Sequence, residues 1–250
     1  MNAELYIPNI SQSALGLYRD CPHAYYLKYK MSCQPIFWDF DVLDTGSYVH
    51  DAIDMYYKHN YLTEADLYED ILYYSYKNFK EIWDITLPNE EFLKGYTSLE
   101  NHAKWEYSNL QNNIVTKPLT ELKIKLDGLY AIIDYADLNR DMLVDWKTNK
   151  YAGLSYNYRM QAEIYKRSYE RKFNKELEHF YFFFLYPNEW RTVKFGNKKQ
   201  DEVSKEVDAL LDAVHKSWIN NKFPKQPRTE SSCNGCLFRY YCKMEENQCI

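Results

Sequence analysis

The 250-residue chain is 46% hydrophobic and 27% charged, enough apolar matter for a sizeable core and enough charge for a soluble globular protein. Its formal net charge of −5 argues against indiscriminate binding to polyanions, yet leaves room for a local basic groove. "MNAELYIPNISQSAL" lacks the basic start and apolar block of a secretory leader, and "FYFFFLY" is far too short to cross a bilayer.

From the N-terminus, "SQSALGLYRDCPHAYYLKYK" predicts a helix with Ser11 or Ser13 as N-cap and Pro22 interrupting or restarting it. "GSYVHDAIDMYYKHNYL" has helical apolar spacing, and the stretch from Glu64 to Leu110 has it more loosely. The pattern changes at "LTELKIKLDGLYAIIDYADL", where apolar and polar residues alternate as in half-buried strands. "NRD" reads as a hairpin turn, "MLVDW" as the next strand and "YNYRMQAEIYKRSYERKF" as a helix. "HFYFFFLYP" reads as a buried strand stopped by Pro187, with "WRTVKF" as its partner. "DEVSKEVDALLDAVHKSWINN" is a long amphipathic helix, and the stretch from Phe223 reads as loop. Helices, sheet, helix, sheet, helix in that order predict a mixed α/β fold around a central sheet.

Asp134 falls in one predicted strand and Asp145 in its neighbour across a short turn, so both can point into one cleft. Carboxylates brought together raise each other's pKa unless a cation sits between them. Mg2+ or Mn2+ suits such a site, because hard ions prefer oxygen ligands. Lys147, two residues past Asp145 in "VDWKTNK", projects to the same strand face. It can orient or deprotonate a water, or neutralise a phosphate oxygen. These are the parts of metal-assisted phosphodiester hydrolysis. Between Lys147 and Lys175 eight cations face two carboxylates, and Arg167, Arg171 and Lys172 there are candidates for a DNA track.

"CNGCLFRYYC" spaces Cys233, Cys236 and Cys242 as a three-thiolate metal motif, and a closed site needs a fourth ligand. Cys21, in "YRDCPHAYY", is the best candidate; Cys249 is its rival and Cys33 a weaker one. The absence of a leader reads as an intracellular, cytoplasmic setting, where cysteines bind metal or stay free.

In order along the chain, "GSYVH", "IIDYAD", "VDWKT" and "QAEIY" resemble the sequence elements of the PD-(D/E)XK nuclease superfamily, RecB-like branch. The closest likeness is to its iron–sulfur members, which include CRISPR-associated RecB-like exonucleases and related viral nucleases. The resemblance implies a restriction-endonuclease-like fold, a central mixed sheet flanked by helices, with the N- and C-terminal segments joined by a four-cysteine metal cluster. It implies a single nuclease domain over 1–250, with the core about 40–200 and cluster-binding ends at 11–35 and 223–250. It assigns His50, Asp134, Asp145 and the main-chain carbonyl of Trp146 to the metal, Lys147 to catalysis, and Gln161 and Tyr165 to DNA. Cys21, Cys233, Cys236 and Cys242 would hold a [4Fe–4S] cluster, with zinc as the alternative. Two positions depart from the pattern: Ala131 stands where Gly is usual, and "KTNK" where "KTG" is usual. The implied activity is a metal-dependent DNA exonuclease acting on single strands or free ends and leaving 5′-phosphate and 3′-hydroxyl products. CRISPR-adaptation or recombination proteins would be its partners. A nucleic-acid-binding module of the same fold without catalysis is the alternative.

Overall fold

A computed structural model describes residues 9–36, 41–58, 90–112, 114 and 117–247, with Glu69, Leu72, Tyr73 and Lys77 between them. Elements are numbered in order among these residues. Helix α1 (Gln12–Asp20) starts at Ser11, whose hydroxyl accepts the amide of Ala14. It ends at Cys21, and Pro22 opens α2 (Pro22–Tyr29), where its missing N–H costs nothing. Helices α3 (Asp41–Lys58) and α4 (Glu90–Gln111) follow. Next come β1 (Leu119–Leu126), β2 (Leu129–Asp137), β3 (Met142–Lys147), α5 (Tyr156–Phe173), β4 (His179–Phe184), β5 (Glu189–Lys194) and α6 (Lys198–Asn220).

The five strands form one mixed sheet in the order β1-β2-β3-β4-β5. Neighbours are antiparallel except β3 and β4, which run parallel and are connected through α5. That is what a parallel pair requires, since its ends lie at opposite edges. The β1–β2 hairpin turns on Asp127 (φ 49°) and Gly128 (φ 76°), a two-residue loop that needs left-handed backbone at both positions.

Both faces of the sheet are covered, and β4 shows why. Phe180, Phe182 and Phe184 point into one apolar cluster with residues of α1, α5 and α6, including Leu15, Ile164 and Val207. Phe183 points the other way, into a cluster with Val49 and Ile53 of α3, Leu99 and Ala103 of α4, and Trp146. A strand buried on both faces reads as a continuous apolar run, which is the pattern of "HFYFFF".

The expected loop after Phe223 is corrected. It contains two short helices, α7 (Glu230–Asn234) and α8 (Arg239–Asn247). Thr229 caps the first, its hydroxyl accepting the amide of Ser232. No residue of α7 is buried, so the apolar periodicity that identifies a helix was not there to read. Among the described residues no helix is long and apolar enough to cross a membrane.

Phe180 is fully buried and meets the rings of Tyr165 and Phe182 edge-on at 5.5 and 5.1 Å. Phe180→Ala is expected to cost about 3–5 kcal/mol in urea-unfolding experiments, the transfer loss plus a cavity between sheet and α5. A loss below about 1 kcal/mol would mean that the layer collapses freely around the site.

Candidate active site

The register of the first three strands builds the site. Around the gap in the β1–β2 pairing, Thr120 faces Tyr135 and Leu122 faces Ile133, which brings Glu121 opposite Asp134. In the β2–β3 pairing, Tyr135 faces Val144, and one step further along brings Asp134 opposite Asp145. Three carboxylates therefore lie in a row across three strands. Side chains directly opposite one another are near neighbours, and like charges there are destabilising.

Helix α3 lays His50 over this row, with Nδ1 3.4 Å from Asp134 Oδ2. A β-carbon on Gly46, one turn before His50, would lie 3.3 Å from Thr148 Oγ1, so glycine lets α3 approach the chain leaving β3. Asp134 is itself held from β3: the Trp146 amide N–H donates to Oδ2 at 2.7 Å. The Trp146 side chain is buried on the opposite face. Lys147 Nζ lies 2.5 Å from Asp145 Oδ2. It also donates to Gln161 Oε1 at 3.2 Å and sits 4.9 Å from the centre of the Tyr158 ring.

Gln161 and Tyr165 do reach the site from α5, but as buried side chains. Gln161 Nε2 donates to Asp145 Oδ1 at 2.6 Å and to the Tyr165 hydroxyl at 3.0 Å. Gln161 thus bridges Asp145 and Lys147, fixing their orientation. Arg167 is not brought to the site. Its guanidinium binds Glu163, Asp208 and Ser204, clamping α5 to α6. Arg171 and Lys172 are exposed near the end of α5.

The charges adjust to one another. Burial pushes the Asp145 carboxyl up to about 6, against the pull of Lys147. Burial opposes charge on His50 as well, but Asp134 and Asp145 outweigh it and raise the imidazole to about 9. Burial likewise opposes charge on Lys147, and Asp145 and Asp134 again prevail and raise it. Lys147 is therefore a cation at neutral pH, suited to stabilising negative charge.

Glu121 is the residue sequence reasoning missed. His50, Glu121 and Asp134 offer ligand atoms within 4.8 Å of one another, a set that could hold a metal ion. Glu121 also has left-handed backbone (φ 47°), a conformation that costs an ordinary residue about 1–2 kcal/mol. Burial and the charge of Asp134 raise its carboxyl. The signal lay in the hairpin: "DG" at 127–128 fixes the register that sets Glu121 against Asp134.

Far along the chain, Cys21, Cys233, Cys236 and Cys242 line one cavity of about 300 Å³, with Lys225, Arg239 and Lys243 among its walls. Burial and the nearby Cys21 and Cys233 raise the Cys236 thiol. Cys33 packs in the same apolar cluster but does not line the cavity. Cys249 lies outside the described residues.

A carboxyl raised on folding contributes stability below its unfolded pKa and loses it as pH rises through the folded value. In protein stripped of divalent ions, Glu121→Gln is therefore expected to raise the urea midpoint at about pH 7, where the charge row is ionised. The advantage should vanish near about pH 4, where Glu121 itself is protonated. An unchanged midpoint at neutral pH would show that Glu121 carries no repulsion.

The model of the PD-(D/E)XK nuclease superfamily matches residues 9–243, which spans the sheet, the acidic row and both cysteine segments. No curated protein matches the chain. Superfamily membership implies nuclease activity in general, a nucleic-acid substrate and use of divalent metals such as Mg2+. With its five-stranded mixed sheet flanked by helices and a match over most of its length, this chain belongs to the PD-(D/E)XK nuclease superfamily.

Proposed function

We propose that the chain is a divalent-metal-dependent DNA exonuclease of the RecB-like iron–sulfur branch, its 250 residues forming a single nuclease domain. The observation that carries this reading is the row of Glu121, Asp134 and Asp145, with His50 on one side and Lys147 on the other. Such a row is costly without a cation and favourable with one. His50, Asp134 and Asp145 would hold Mg2+ or Mn2+, with Glu121 as an added ligand and the Trp146 carbonyl alongside. When bound, the metal would acidify a water and polarise the scissile phosphate.

The chain's own groups do the rest. Lys147, kept cationic by Asp145, stabilises negative charge on a phosphate oxygen and orients the attacking water. Gln161 holds both Asp145 and Lys147 in place, and Tyr165 holds Gln161. Arg171 and Lys172 contribute to the surface that meets the phosphate backbone. Arg167 contributes by fixing α5 rather than by touching DNA.

Four thiols from both ends of the chain around one cavity fit a metal group held by four cysteines, and we assign it as a [4Fe–4S] cluster. Its service would be to brace two chain ends that hydrogen bonds such as Tyr18–Ser217 and Trp218–Tyr25 already dock. Phosphodiester hydrolysis moves no electrons and gives the cluster no redox part.

Asp145→Ala and Asp134→Ala are expected to lower cleavage of end-labelled DNA, assayed with Mg2+ and with Mn2+, by at least about a hundredfold. Lys147→Ala should lose about a hundredfold or more in kcat while still binding Mn2+. Near wild-type cleavage by Asp145→Ala would sink the active-site assignment. Cleavage by none of the proteins, with DNA binding retained, would favour the binding module instead.

Protein purified without oxygen is expected to be brown, with iron and sulfide in near-equal amounts. Cys21→Ser, Cys233→Ser, Cys236→Ser and Cys242→Ser should each lose the colour and the stability that comes with it, while Cys33→Ser and Cys249→Ser keep both. A colourless protein with stoichiometric zinc would replace the cluster and leave the nuclease assignment standing.

A further inference from the structure

The chain has 26 tyrosines, so residue type alone singles out none of them. Tyr151 stands apart by exposure and place. At 87% exposure it is the most exposed large apolar side chain among the described residues. It lies on the segment between β3, which carries Asp145 and Lys147, and α5, which carries Gln161.

That segment is anchored on both sides of the ring. Thr148 packs close to Gly46 on α3. Asn149 Oδ1 accepts the Tyr158 hydroxyl at 2.9 Å, and Lys150 is paired with Glu90. On the far side, Arg191 Nε donates to the Ala152 carbonyl at 3.2 Å, and Ser155 caps α5. A segment tethered at these points presents an exposed aromatic ring to solvent. A ring exposed to this degree has its face open to a ligand.

Tyr151 is four residues beyond Lys147, so chain length keeps it within about 14 Å of the lysine. This reaches a base about one or two nucleotides from a phosphate held at Lys147. Single-stranded nucleic acid is gripped by aromatic rings on which bases stack, whatever their sequence. A base inside a duplex has both faces covered, whereas an unpaired base offers one.

We propose that Tyr151 is a stacking platform for an unpaired base of the substrate strand next to the scissile phosphate. The role rests on the nuclease reading and narrows it to single-stranded or frayed DNA ends. It is a positioning role, so it acts on binding of the strand rather than on the chemical step.

The test combines kinetics with a binding signal that needs no cleavage. On single-stranded end-labelled DNA, Tyr151→Ala is expected to raise KM about tenfold with kcat changed less than about twofold. Tyr151→Phe and Tyr151→Trp should restore KM, and Tyr151→Leu should not. Moving one abasic residue along the strand should find a position where the wild type loses its advantage over Tyr151→Ala. In parallel, 2-aminopurine at that position should be quenched on binding the wild type, in Ca2+ to prevent turnover, and less so with Tyr151→Ala. Equal KM for wild type and Tyr151→Ala, full rescue by Leu, or an abasic penalty identical in both proteins would overturn the proposal. A wild type that quenches the probe but cleaves nothing with Mg2+ or Mn2+ would sink the nuclease reading and keep the stacking. A wild type that neither binds nor cleaves would overturn both.

Discussion

Three carboxylates in a row across neighbouring strands must take up protons or share the site with positive charge, and much of this molecule answers that constraint. Glu121, Asp134 and Asp145 are set opposite one another by the register of β1, β2 and β3. The chain supplies partial compensation from two directions: His50 from α3 and Lys147 from the end of β3. Neither cation is spare. His50 is spoken for by Asp134, and Lys147 by Asp145. Glu121 is left with no cation of its own among the contacts described, and it alone of the three has left-handed backbone. Left-handed backbone and a carboxyl raised by burial and Asp134, only partly offset by His50, are what a site built for a further positive ion looks like.

Holding acids in place against their repulsion needs a stiff frame. The β3–β4 pair supplies it, because it is buried on both faces. Below the acids, Trp146 packs edge-on to Tyr135, His102 and Trp105 at 5.5–5.6 Å. The same residue's amide N–H binds Asp134. One residue thus ties an acidic ligand to the aromatic layer on the reverse of the sheet. On the other face, α5 brings Gln161 and Tyr165 down onto the acids, while Arg167 on another side of the same helix binds α6. The α5 helix is therefore fixed from behind while its front orients the site.

Much of this could be read from the sequence, and the failures have physical causes. The strands carrying Asp134 and Asp145 were visible because their apolar residues alternate or run together between clear turns. The structure brings His50, Gln161 and Tyr165 together with them, Gln161 and Tyr165 as buried side chains. Glu121 was missed because a lone acid on an amphipathic strand looks like a solvated face until its partner across the hairpin is known. Arg167 was read as part of a DNA track because a local count of charge cannot see Asp208, forty-one residues away in sequence. The helix α7 was missed because it buries no residue and so leaves no periodic trace.

The two chain ends pose the last question, whether the thiols gather the ends or the ends gather the thiols. The contacts favour the second. The Tyr18 hydroxyl bonds to the Ala213 carbonyl and to Ser217, and Trp218 Nε1 donates to the Tyr25 hydroxyl. The Arg228 amide donates to the Asp20 carbonyl, and the Ile36 amide to the Leu237 carbonyl. Ala24, Leu27 and Phe238 form a small apolar cluster beside the cysteines. None of these hydrogen bonds uses a thiol, and together with the apolar cluster they dock α1 and α2 against α6 and the C-terminal segment. The cavity is thus framed by contacts that need no ligand on the thiols. Lys225, Arg239 and Lys243 stand in the wall of that cavity, where positive charge favours thiolate over thiol.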